Sequence, residues 1–375
     1  MRLKTMWIAA ASMAVIVLVV ATSLPPASPA QAEHILQSMP SLEGYHIYFT
    51  EAGGEASRFD RTDTGLSRLA GLIELQGADL YTLEWRNGVP PDADLVIIAG
   101  PTSDLTADQT AWLWAYLQQG GHVLLLAESP GVSGVRALNS RSGLVTLLWD
   151  DMGVRPRDDV VVTENGTRFA SPPGDQVGRG TPTPTPLPPI EQTALLADFI
   201  TTNFNATHPI LAGIEGGLAF FEARSLEVDE APSPTQVTAL VMSDSGFYGE
   251  TAFLDYVTGA PTDYNIGVDT GRSSLVLAAA LENSESGTRI VVIGDRDFAT
   301  NGKGLQTSPP YSASFLYPDN VRFLFNSINW LLGVEGIVNM TFLTPGPTAT
   351  PTMVPSPTPT VAPSPTEPQP EGGSS

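Results

Sequence analysis

The chain reads as an α/β protein built on a doubly wound, mostly parallel sheet. Three observations predict this class. Short, wholly apolar runs recur, as strands buried on both faces require. Stretches of helical periodicity alternate with them over short connections. One stretch, Pro91–Pro130, contains a complete strand–helix–strand unit.

In that unit Leu95–Ala99 is an apolar strand, ended by Gly100-Pro101. Thr106 stands at a helix N-cap, and Gln109 three residues on completes a capping box. Ala111, Leu113, Trp114 and Leu117 recur at helical spacing until Gly120-Gly121 stops the helix. His122–Ala127 is the second strand. Units of this kind cross over right-handed.

The other elements follow in order. Arg2 and Lys4 precede a charge-free apolar run from Met6 to Ala21, and Ala30-Gln31-Ala32 follows a proline-rich segment. That order describes a secretory signal peptide, while the run is also near the ~20 residues that span a bilayer. Residues 1–32 are therefore a signal peptide or an N-terminal transmembrane helix. With either, the remainder is exported: extracytoplasmic, membrane-anchored or secreted.

Residues 41–335 form the exported α/β domain. Tyr45–Thr50 is its first strand, and Glu51–Glu55 a loop. A helix is expected over Thr62–Gln76, with Leu66, Leu69, Ala70 and Ile73 on one face, then a strand at Leu80–Trp85. Beyond the central unit come a helix at Ser142–Met152 and a strand at Val160–Val162. Composition shifts at 171–189, where Thr181–Pro189 is a Thr/Pro repeat that cannot pack, read as a loop excursion. A helix is expected at Glu191–Asn203. Strands follow at Leu218–Phe221, Ser225–Val228, Thr238–Met242, Leu275–Ala280 and Arg289–Ile293, and a last helix at Asn320–Leu332. Residues 344–375 are rich in Thr, Pro and Ser, low in complexity, and read as a disordered tail.

Composition narrows the function. The formal charge of the 375 residues is -22, and Lys4 and Lys303 are the only lysines. Such a chain repels phosphate backbones, so nucleic acid is not an expected partner. Without cysteine there is no disulfide, thiolate metal site or cysteine nucleophile. No G-x-G-x-x-G follows a strand and no P-loop occurs, so no nucleotide or other cofactor is expected.

In open α/β sheets ligands sit at the carboxyl ends of the strands. The loops there supply Glu51, Thr102, Ser103, Glu128, Ser129, Asp295 and Asp297 as ligand-binding candidates. Asp295 and Asp297 form a D-x-D that could hold Mg²⁺ or Ca²⁺. The plainer alternative has Asp297 turn the chain and Asp295 accept backbone N–H bonds. Ser129 follows a strand where a nucleophile elbow would place its serine, and His208 stands late enough in the chain to serve as base. Ala127 and Pro130 depart from the elbow pattern, which leaves Ser129 a turn residue as the simpler reading.

The stretch ADLVIIAGPTSDLTADQTAWLWAYLQQGGHVLLLAES resembles the auxiliary component of uncharacterised ABC-type transport systems, a group that includes a gliding-motility protein. The segments at 144–162, 207–228, 288–301 and 320–333 fit the same pattern in the same order. The resemblance implies a sheet like that of class I glutamine amidotransferases and flavodoxin-like proteins, used without chemistry. The amidotransferase nucleophile is a cysteine, and Glu128 or Ser129 would occupy its place here. The expectation is an extracytoplasmic, non-catalytic accessory or ligand-binding domain, with an ABC transporter permease or another envelope protein as partner. Two other classes stand beside it: an extracellular serine or metal-dependent hydrolase, and a stalked cell-surface binding module.

Overall fold

Five parallel strands carry the fold. In the computed structural model, which describes residues 39–128, 130, 138–139, 142–163, 197–229, 234–252, 264–310, 312 and 314–334, they are β1 (His46–Thr50), β2 (Asp79–Leu83), β3 (Leu95–Ala99), β4 (His122–Leu126) and β13 (Arg289–Ile293). Their spatial order is β2-β1-β3-β4-β13. That is the flavodoxin-like order, with its topological switch between β1 and β3. All described residues belong to the first of two units, Met1–Phe342 and Leu343–Ser375. The expected signal segment, the Thr/Pro excursion, Ser129 and the tail lie outside the described residues.

The sheet continues antiparallel beyond β13, through β12 (Val276–Asn283), β9 (Leu226–Val228) and β5 (Val154–Pro156), with β10 (Thr235–Met242) also paired to β12. The parallel character expected of the sheet thus belongs to its first five strands. Two short pairs stand apart from it: β6 (Val160–Val162) with β11 (Tyr248–Glu250), and β7 (Asp198–Thr201) with β8 (Leu218–Phe221).

The helices divide between the two faces because strand side chains alternate. Ile47, Phe49, Ile97, Leu124 and Val291 pack with Leu69 and Ile73 of α1 (Ser67–Leu75) and with Leu324 and Ile328 of α4 (Pro318–Leu331). Tyr48, Val96, Ile98, Leu125 and Val292 pack with Leu113 and Leu117 of α2 (Ala107–Gln118) and with Leu144 and Leu148 of α3 (Gly143–Met152). The sheet is doubly wound, and each fully buried Leu, Ile or Phe contributes roughly 1.5–3 kcal/mol.

Two expected helices differ. The helix foreseen over Thr62–Gln76 starts only at Ser67, because the preceding residues turn: Leu66 N–H bonds Ser57 O and Ser67 N–H bonds Asp60 O. Its open end is capped from afar, Arg68 N–H donating to Asn301 Oδ1 at 2.9 Å. The helix expected at Glu191–Asn203 is corrected: of its described part, residues 197–203, Asp198–Thr201 is strand and none is helix. Ile200 and Thr201 are β-branched, and a partner at Leu218–Phe221 supplies the ladder.

Candidate functional site at the carboxyl rim

The strands remain registered beyond their ends. Gly100 N–H donates to Leu126 O and Ala127 N–H to Ile293 O, each at 2.7 Å. This brings the loops after β3, β4 and β13 side by side. Gly294 is needed here, since a Cβ would lie 2.1 Å from Arg224 O. Arg224 N–H bonds Gly294 O at 2.7 Å, so the chain after β8 lies against the rim.

Arg296 is the centre of the rim. Its Nη2 is 2.9 Å from Glu128 Oε2 and 3.0 Å from Asp297 Oδ1. Its stem crosses Gly100, where a Cβ would stand 2.3 Å from Arg296 Cδ. Burial alone would lower the guanidinium pKa, but Glu128 and Asp297 together raise it. Asp295 is fully enclosed. Its Oδ2 accepts Phe221 N–H at 2.7 Å and its Oδ1 accepts Phe298 N–H at 3.1 Å. Burial first, and the Asp297 charge second, push its carboxyl well above the ordinary range.

Arg224 is the second buried cation, 1% exposed. It donates to the carbonyls of Arg157 (2.6 Å), Leu138 (2.8 Å) and Glu128 (3.0 Å) and to Asp158 Oδ1 (2.9 Å). One guanidinium therefore joins the end of β4 to the β5–β6 turn. The space beside Glu128 and Arg224 measures about 10 Å³, room for about one water.

At the switch point the loops after β1 and β3 are stitched together. Thr102 and Ser103 N–H both bond Gly53 O, at 2.8 and 2.9 Å. Glu51 Oε1 accepts Ser57 Oγ–H at 3.0 Å and Arg58 N–H at 3.3 Å. The crevice where this fold places ligands is bridged by its own loops.

The sequence candidates thus fall into two groups and one outlier. Glu128, Asp295 and Asp297 converge on Arg296, while Glu51 and Ser103 lie in the two stitched loops of the switch point, Ser103 N–H on Gly53 O and Glu51 on Ser57 and Arg58. His208 stands elsewhere: its Nδ1 accepts Ile210 N–H at 3.3 Å and its ring meets Trp330 edge-on at 5.3 Å. Burial and the Arg289 charge hold it below its usual pKa, Glu282 opposing. Arg289 begins β13, and Asp295 follows its end, so His208 lies toward the opposite end of that strand. Both Asp295 oxygens are already hydrogen-bonded, and no metal-ligating group of three or more His, Asp or Glu forms among the described residues.

The sequence reading missed a further cluster beside the rim. Glu222 holds a left-handed backbone, φ 55°. Its carboxyl pKa is raised by burial and then by Asp198, against Lys303. Lys303 Nζ is 3.4 Å from Asp198 Oδ2 and lies 5.2 Å from the Phe221 ring centre. The signal for Arg296 was present in Asp295-Arg296-Asp297, where the alternating signs announce an ion pair.

Fold and rim together define a doubly wound α/β domain whose usual ligand crevice is closed by internal ion pairs and loop bonds. Residues 47–327 match the model of the family described as ABC-type uncharacterized transport system, in its auxiliary component. The chain belongs to that family. No curated protein matches it. Among solved structures it is similar to the mmIFT52 N-terminal domain, at 16% identity and a TM-score of 0.50, covering 77% of this chain and 98% of that one. A ThuA-like protein from Bacteroides uniformis aligns over 78% of this chain and 92% of its own, at 10% identity and a TM-score of 0.37. The first likeness concerns the fold alone. Among the described residues no helix is long and apolar enough to cross a membrane.

Proposed function

We propose that the chain is an extracytoplasmic, non-catalytic accessory domain of an ABC-type transport system, kept at the membrane by its N-terminal segment. The sheet is of the class I glutamine amidotransferase kind, with its reactive centre replaced. One observation supports this reading: Glu128, one of the two residues after β4 that would occupy the place of that class's nucleophile, is buried and held by Arg296. That carboxylate is enclosed and paired with a guanidinium, which supports a structural rather than a catalytic role. Asp295 and Glu128 act as internal supports of the rim. Glu51, Ser103 and Asp297 belong to the loops of the carboxyl rim, the surface this reading offers to a transporter subunit, and Ser129, outside the described residues, follows Glu128 in the chain.

Protease added to cells of the native host whose outer envelope has been removed, with the cytoplasmic membrane intact, tests the placement. The account expects the domain to be degraded while cytoplasmic proteins survive. Protection equal to that of a cytoplasmic protein would overturn it.

A further inference from the structure

A pocket of about 440 Å³ opens at the amino-terminal end of the sheet, opposite the rim. The residues before β1, the loop leading into β3, the end of α2 and the start of β4 enclose it. Its volume lies within the range of small-molecule sites.

Its walls have a definite chemistry. Tyr45, Trp112 and Tyr116 supply aromatic surface. Tyr116 is fixed, its hydroxyl accepting His122 N–H at 3.0 Å and lying 3.2 Å from His122 O. Asp94 brings the carboxylate: Oδ2 accepts His46 N–H at 2.7 Å, and no hydrogen bond to Oδ1 forms among the described residues. The end of α2, at Gln119, carries the negative pole of the helix, and no basic residue stands in its last turn. His122 Nδ1 accepts Arg289 N–H at 3.2 Å, which puts the proton of the neutral ring on Nε2. Burial, then the Arg289 charge, lower the pKa of that ring, Asp94 opposing. Neither lysine nor arginine is among the residues lining the pocket.

We propose that this pocket binds a small organic ammonium cation. Aromatic faces attract such a cation through their quadrupoles, and a carboxylate and a helix carboxyl end add to the attraction. An anion would meet two sources of negative potential and no lysine or arginine among the lining residues. The inference is independent of the transport reading, because it concerns the other end of the sheet.

Calorimetric titration of the full chain with choline tests it, beside the neutral isostere 3,3-dimethylbutan-1-ol. Choline should bind saturably and at least about tenfold more tightly than the isostere. Asp94→Asn, which keeps an acceptor for His46, should weaken choline about tenfold, and Trp112→Leu by a similar factor. Circular dichroism checks both variants, and if Trp112→Leu fails to fold, Asp94→Asn and the isostere decide. Equal affinity for the isostere, no saturable heat with choline, or unchanged binding in a folded Asp94→Asn protein would each overturn the proposal. None of these outcomes bears on membrane placement.

Discussion

Arg296 and Glu128 meet at 2.9 Å with their side chains only 9% and 2% exposed. An ion pair so enclosed gives little net stability when intact, but removing one partner strands the other's charge. Arg296→Met should therefore cost about 3–5 kcal/mol in urea denaturation. Glu128→Gln should cost less, about 1–3 kcal/mol, because Asp297 still faces the guanidinium. The double variant should fall short of the sum by at least roughly 1 kcal/mol. Additive costs would show that the two side chains do not act as a pair.

Arg224 allows a sharper substitution. Its planar fork reaches carbonyls on three separate stretches, and a lysine has three donors on one atom. Arg224→Lys keeps the charge yet should cost on the order of 3 kcal/mol, read from the denaturation midpoint at unchanged slope. A loss under about 1 kcal/mol would mean that charge alone suffices there.

Asp295 governs a pH dependence. Burial raises its native pKa well above 3.8, so the native state keeps a proton that the unfolded chain releases. Above 3.8 the native state then binds more protons than the unfolded one, and stability falls as pH rises toward the native pKa. Glu222, also raised, adds to the same slope. Asp295→Asn should lower stability, since its amide nitrogen cannot accept from Phe221 or Phe298. It should also flatten the curve by about one proton over that window. A slope unchanged by the substitution would contradict the assignment.

Glu222 stores backbone strain at φ 55°. Glu222→Gly relieves it and Glu222→Ala does not, so the glycine variant should exceed the alanine variant by about 1 kcal/mol in thermal unfolding. Equal stability would remove strain from the description of this corner.

Local signals were legible in the sequence. Thr106 and Gln109 form the capping box expected of them, and Leu95–Ala99 is the strand its apolar run describes. What depends on distant partners was not. Asp198–Thr201 becomes strand because Leu218–Phe221 comes alongside it. Arg224 takes its meaning from carbonyls up to 96 residues away. In Asp295-Arg296-Asp297 the carboxylates drew the eye toward a metal, while the arginine between them organises the rim. The pocket at the other end joins Tyr45, Asp94, Trp112 and His122, which no spacing in the chain connects.

The most direct measurement is crosslinking and affinity purification of the full chain from native membranes, with the recovered proteins identified by mass spectrometry. The account predicts enrichment of a permease and an ATPase subunit of one ABC-type system over an untagged control. Recovery of the chain with no transporter subunit enriched would contradict it.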